Sequence, residues 1–313
     1  MDQTKSKGDE CYSIDHAALT EHRTSKPWMS SPTYFHTASF SPSSSLKILS
    51  HCQSGVTKGL KQSGKPVEVM GLLQGRPDPS NPGTIIVTDS FPLPIEGFET
   101  RVIADDSSVI NHMIALGDLM EDLRPEKFCG WYHSHPFDVT THPHTFFSST
   151  DLSTQLQWQR SEDSHGNPWL GCVIDPLRSM STSELIMESF RAFPPEYTPV
   201  DKFSCPDGSV VKNESERLQR WGACFNRYYR LDTVYHMSTE SNKIVRRINE
   251  DFKWVESLTG GSGSDSSRIV KAVERWEEGK EGRGKARDEF KDIRGKRKAE
   301  EAKRKGLEGV FGV

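Results

Sequence analysis

The 313 residues hold no C-x-x-C pair and no dense cysteine framework; Cys11, Cys52, Cys129, Cys172, Cys205 and Cys224 are widely scattered. That spacing excludes a disulfide-stapled scaffold and a thiolate metal cluster, and it fits free thiols in a reducing compartment. Long hydrophobic runs are also missing. The first thirty residues are polar, with no apolar core of a leader peptide, and no later run approaches the length that crosses a bilayer. The expectation is a protein of the cytoplasm and nucleus with no membrane partner. Charge of one sign is equally scarce: the formal net charge is -4, so no global field argues for nucleic acid as the main partner. What remains is 34% hydrophobic and 27% charged residues, the composition of a globular domain with polar margins.

Residues 1–42 are rich in Ser, Thr, Lys and His with few large apolar groups, which predicts a mostly disordered arm. Beyond Ser41, the residues Ile48, Leu49, Cys52, Val56 and Leu60 recur at helical spacing after a serine-rich start. Short apolar runs at 67–73, 84–93, 128–132, 169–174 and 185–193, bounded by turn residues, read as strands. Val109, Met113, Leu116 and Met120 mark a helix between the second and third runs, and another begins near Thr150 and Asp151. Strands interspersed with helices predict an α/β domain over 43–200, with a central mixed sheet flanked by helices. Residues 201–259 read as a mainly helical extension, followed over 260–313 by a Gly/Ser linker and a charged tail. From 261 onward 15 Lys/Arg stand against 11 Asp/Glu, which predicts a solvated tail rather than a nucleic-acid-binding arm.

The chemistry centres on His133-Ser134-His135, at the end of a predicted strand, where period-two alternation puts both imidazoles on one side. Two histidines can share a metal, and a hydrolytic zinc site needs a third protein ligand and one open position. Asp151, at the start of the next helix and three residues after Ser148, supplies the carboxylate. Glu68, inside the apolar run Val67-Glu68-Val69-Met70-Gly71-Leu72, is the candidate general base, because a carboxylate there is costly unless it meets a cation, a metal or a bound water. Each of these features alone is commonplace. Together they make a metal site the better reading.

Glu68, His133, His135, Ser148 and Asp151 resemble the motif of the JAMM (MPN-plus) metalloisopeptidases: a Glu, then H-[ST]-H-P, then S-x-x-D. The stretches Leu93-Pro94, Glu96-Gly97, Glu99-Thr100-Arg101-Val102, Gly130-Trp131-Tyr132-His133-Ser134-His135-Pro136 and Val173-Ile174-Asp175-Pro176 are similar to the subunit-five family of the COP-nine signalosome, and the similarity covers most of the chain. The resemblance implies an MPN α/β fold and one catalytic zinc ion held by His133, His135 and Asp151. It also implies water activation by Glu68, oxyanion stabilisation by Ser148, and a regulatory loop carrying Glu99 and Arg101. The implied reaction is hydrolysis of the isopeptide bond between a ubiquitin-like modifier and a cullin lysine. The implied partners are other signalosome subunits, including a non-catalytic MPN protein, with cullin conjugates as substrate.

The chain departs from that family between His135 and Ser148, where 12 residues stand in place of seven. The five extra residues bring His142 and His144 close to the metal ligands, as spectators on a longer loop or, for His144, as a competing ligand. Two other functions remain open at this point. One is a JAMM deubiquitinase of another type; the other is a non-catalytic MPN scaffold, if the insertion displaces Asp151.

Overall fold

The computed structural model describes residues 7–94, 107–139, 141–182, 184–199 and 201–251. The loop at 96–101 with Glu99 and Arg101, and the tail at 260–313, lie outside the described residues.

Among the described residues, seven strands close into a barrel in the order β1-β3-β2-β4-β5-β6-β7. They are β1 (Thr37–Phe40), β2 (Met70–Pro77), β3 (Thr84–Pro92), β4 (Lys127–Ser134), β5 (Leu170–Ile174), β6 (Met187–Ala192) and β7 (Tyr228–Tyr235). The sheet is mixed: β1 pairs parallel with β3 and β7, β4 pairs parallel with β5, and the remaining pairs are antiparallel. The helices, in chain order, are α1 (Lys7–Glu10), α2 (His16–Ser25), α3 (Pro42–Ser63), α4 (Ser107–Leu123), α5 (Ser149–Ser164), α6 (Pro176–Thr182), α7 (Glu214–Trp221) and α8 (Thr239–Asp251). The α/β architecture with a central mixed sheet and later helices is therefore the one the sequence predicts.

The apolar pattern explains how the layers form. In α3, Ser41 caps the first turn through Ser44 N–H, Pro42 occupies the first turn, and Gly64 ends the helix at φ 71°. Its buried residues Ile48 and Cys52 join Val69, Leu73, Ile85, Val87, Cys172 and Ile174 in one core. The opposite face of the sheet contributes Met70, Leu72, Trp131, Val173 and Phe190 to a second core with Leu152 of α5, Phe147 and Trp221. Strand alternation assigns neighbouring residues to different cores.

Two expectations need correction. Residues 228–235 were expected to be helical, but they form β7, whose Tyr228, Tyr229 and Leu231 are buried and which closes the barrel against β6 and β1. Aromatic and β-branched residues suit that pleated surface better than a helix. The N-terminal arm, expected to be loose, is folded over the described residues 7–42. Leu19, Trp28 and Phe35 are buried, Trp28 Nε1 donates to the Asp163 carbonyl at 3.3 Å, and Arg76 donates to the Cys11 carbonyl at 2.6 Å. A few large side chains and a buried guanidinium order a segment whose average composition argues for none.

Two histidines outside the metal corner make stability depend on pH. Burial holds His51 down to about 4, beside the Tyr132 hydroxyl; burial and the nearby Arg76 do the same for His236, which contacts Ser39. The unfolded chain takes up protons near 6.5 and the folded protein only near 4. Stability should therefore fall as pH drops through that window, by on the order of 1 kcal/mol per histidine after allowing for residual solvent contact. Thermal melts of chelator-treated protein test this: His236→Asn should show a shallower loss of melting temperature between those pH values than the parent.

Candidate metal centre

The corner is built where three elements end. β4 lies between antiparallel β2 and parallel β5, and its last residues carry the two histidines. Trp131, His133 and His135 share a face by alternation, and the Trp131 indole stacks on the His133 ring at 4.5 Å between centroids. That indole is itself fixed, because its Nε1 donates to Gln155 Oε1 at 2.7 Å. A side chain on Gly171 could not share this space: a Cβ there would come within 2.6 Å of Phe147 and 2.8 Å of Gln155 Oε1. Ser134 points the other way. Its hydroxyl accepts from Val69 N–H at 3.0 Å and its N–H donates to the Val69 carbonyl at 3.0 Å, so pairing with the β2 segment continues one residue past the strand.

Asp151 arrives from the first turn of α5 through a capping box: Asp151 N–H donates to Ser148 Oγ at 3.2 Å, and Ser148 N–H donates to Asp151 Oδ2 at 2.8 Å. The same Oδ2 lies 3.4 Å from His133 Nε2 and 3.5 Å from His135 Nε2, while the two Nε2 atoms are 3.0 Å apart. All three residues are buried. Burial on its own raises the Asp151 carboxyl, but the facing His133 and His135 together hold it well below the usual carboxylate range.

These atoms fit a zinc ion. Bonds of about 2.0–2.1 Å to a tetrahedral centre place ligand atoms about 3.3 Å apart. The observed separations of 3.0, 3.4 and 3.5 Å bracket that edge. The donor chemistry agrees. His135 Nδ1 lies 3.1 Å from the His144 carbonyl and can only donate to it, which leaves Nε2 as the ring nitrogen available to a metal. His133 Nδ1, by contrast, is buried without a hydrogen-bond partner.

Glu68 is not one of the three converging donors. It is half-buried and sits two residues before β2, which begins at Met70, so it lies outside the strand that the sequence suggests for it. Its place is nevertheless set by register. Met70 pairs with His133 and Val69 with Ser134, so Glu68 falls opposite His135, on the face that Met70 and Leu72 share with Trp131. His144 is not among the three donors either: its ring Nε2 lies 2.6 Å from Asp138 Oδ1. The insertion thus leaves Asp151 at the corner. Sequence reasoning missed the supports of the site, namely Trp131, Gln155, Asp138 and Asp175; only the W-x-H-x-H alternation hinted at the first of them.

The profile of the JAB family, described as JAB1/Mov34/MPN/PAD-1 ubiquitin protease, matches residues 33–164, a range that includes all five motif positions. COP9 signalosome complex subunit 5 of Emericella nidulans is 31% identical over 318 residues, covering 97% of this chain and 87% of that protein. The chain belongs to the COP9 signalosome subunit 5 family. Subunit 5b of Arabidopsis thaliana is 32% identical over 83% of the chain, and subunit 5 of Caenorhabditis elegans 31% identical over 80% of it. The chain spans 65% and 61% of the length of those two subunit 5 proteins, less than two thirds of each. Membership in the subunit 5 family and the buried His133, His135 and Asp151 cluster together identify a JAMM-type metal site.

Proposed function

We propose that the chain is a zinc-dependent isopeptidase that removes a ubiquitin-like modifier from cullin lysines, as the catalytic subunit of a signalosome in the cytoplasm and nucleus. The observation that carries this reading is the buried His133, His135 and Asp151 corner, whose three donor atoms are separated by distances close to the edge of a zinc-sized tetrahedron. Bound there, zinc supplies a Lewis acid for the scissile carbonyl and acidifies a water for attack on it. His133, His135 and Asp151 are the residues that would hold it.

The rest of the work falls to the chain. An amide is a poor electrophile with a poor leaving group, so hydrolysis needs a base for the attacking water and an acid for the departing lysine amine. Glu68, on the same face as the two histidines, takes the proton and returns it to the amine. The Ser148 hydroxyl, at the mouth of α5, steadies the charge that develops on the carbonyl oxygen. The loop with Glu99 and Arg101 regulates access. The other signalosome subunits, including a non-catalytic MPN protein, present the cullin conjugate.

Zinc content and cleavage of matched substrates test the reading, with the chain assayed alone and reconstituted with its MPN partner. One equivalent of zinc with selective release of the modifier from a cullin conjugate is the expected result. Preference for a ubiquitin chain would move the enzyme to another JAMM class, and a metal-free, inert protein would make it a scaffold.

A further inference from the structure

The insertion that sets this chain apart from its family's spacing is built into the metal corner. Asp138 and His144 lie within it, and their side chains meet at 2.6 Å between Oδ1 and Nε2. The backbone of His144 is held on both sides: its N–H donates to Asp175 Oδ2 at 3.0 Å, and its carbonyl takes the Nδ1–H of His135 at 3.1 Å. Asp175 is anchored in turn, because its Oδ1 accepts from Arg178 N–H at 2.9 Å at the start of α6. Phe137 closes the outer side, stacked on the His135 ring at 4.7 Å and edge-on to His144 at 5.5 Å.

The Nδ1 contact decides the tautomer of His135. A metal-binding imidazole needs its other nitrogen protonated and oriented, and a backbone carbonyl is one of the groups that does this. In this chain the carbonyl belongs to the inserted loop, and a loop carbonyl is only as well placed as its backbone. The side-chain contact to Asp138 and the N–H bond to Asp175 pin the two ends of one residue.

We propose that the Asp138–His144 pair is a positioning clamp for His135, holding the His144 carbonyl where it directs the His135 Nε2 lone pair at the metal. Asp138 and His144 are positioning residues and touch neither metal nor substrate. The proposal rests on the metal reading of the corner, and the experiment separates the two. Asp138→Ala and His144→Ala remove the clamp yet keep the backbone carbonyl. Each should still take one equivalent of zinc at saturation, but with an affinity lowered about 10- to 100-fold, the usual effect of losing such an outer support. Chelator competition reads the affinity, and the melting temperature of the metal-free protein reads the fold. Asp138→Asn, which still offers a carbonyl oxygen to His144, should retain most of the affinity.

Unchanged affinity in both alanine variants would overturn the clamp while leaving the zinc site standing. A fall in metal-free melting temperature that accounts for the affinity loss would reduce the pair to a loop staple. Loss of the zinc equivalent in His144→Ala would make that residue a ligand instead. A parent protein that takes up no zinc would overturn the metal reading and the clamp with it.

Discussion

Glu68→Gln should leave the zinc equivalent in place and lower turnover by about 10²–10⁴-fold, the range that general acid–base groups contribute. The expected separation of binding from chemistry follows from position. Glu68 lies opposite His135 in the extended β2–β4 register, on the histidine face, but its carboxylate is not one of the three clustered donors. Gln keeps the size and the polar oxygen and cannot accept a proton at neutral pH. A half-buried side chain just outside a strand also tolerates this isosteric change, so the fold should hold. The measurement is single-turnover cleavage of a cullin conjugate beside metal analysis of the same sample. Substantial hydrolysis by a fully loaded Glu68→Gln protein would show that another group moves the proton.

Asp151→Ala should have the opposite profile, losing the metal and the activity together. The substitution removes one of three ligands and the only anionic one, leaving two imidazoles whose Nε2 atoms are 3.0 Å apart. It also deletes half of the capping box, since Ser148 N–H loses its acceptor Oδ2. A cap of this kind contributes about 1 kcal/mol, too little to unfold the protein. A melting temperature near that of the metal-free parent, with zinc no longer retained through gel filtration, is therefore the expected result. Asp151→Asn serves as the companion variant, because its amide oxygen still caps α5 while it lacks the anionic charge. Stoichiometric zinc in Asp151→Ala would mean that the inserted loop supplies a replacement ligand and that Asp151 does not hold the metal.

The site was more legible in the sequence than the fold around it. H-x-H at a strand end and S-x-x-D at a helix start are local patterns, and each encodes its own geometry through strand alternation or helix capping. Their convergence was inferred from chemistry, and the barrel brings them within hydrogen-bonding distance of one another. The apolar run around Glu68 predicts a strand residue; Glu68 stands before the strand and keeps its face because Ser134 extends the pairing through Val69. The β7 error has a similar origin. Tyr228, Tyr229 and Leu231 stand within a run of helical signals, and only their partners in β6 and β1 make them a strand.

By itself the sequence determined the helix that carries Ile48 to Leu60, the five strands β2 to β6, and the three residues, His133, His135 and Asp151, that meet at the corner. These are consequences of periodicity, capping and side-chain chemistry, which act over a few residues. Tertiary structure decided what depends on contacts distant in sequence: the closure of the barrel by β7, the docking of Trp28 and Arg76 with segments far along the chain, and the place of the inserted loop. No local pattern distinguishes a loop histidine that enters a metal site from one that stands beside it. In this protein His144 stands beside it, because Asp138 engages its ring and Asp175 its backbone, and its carbonyl alone reaches His135.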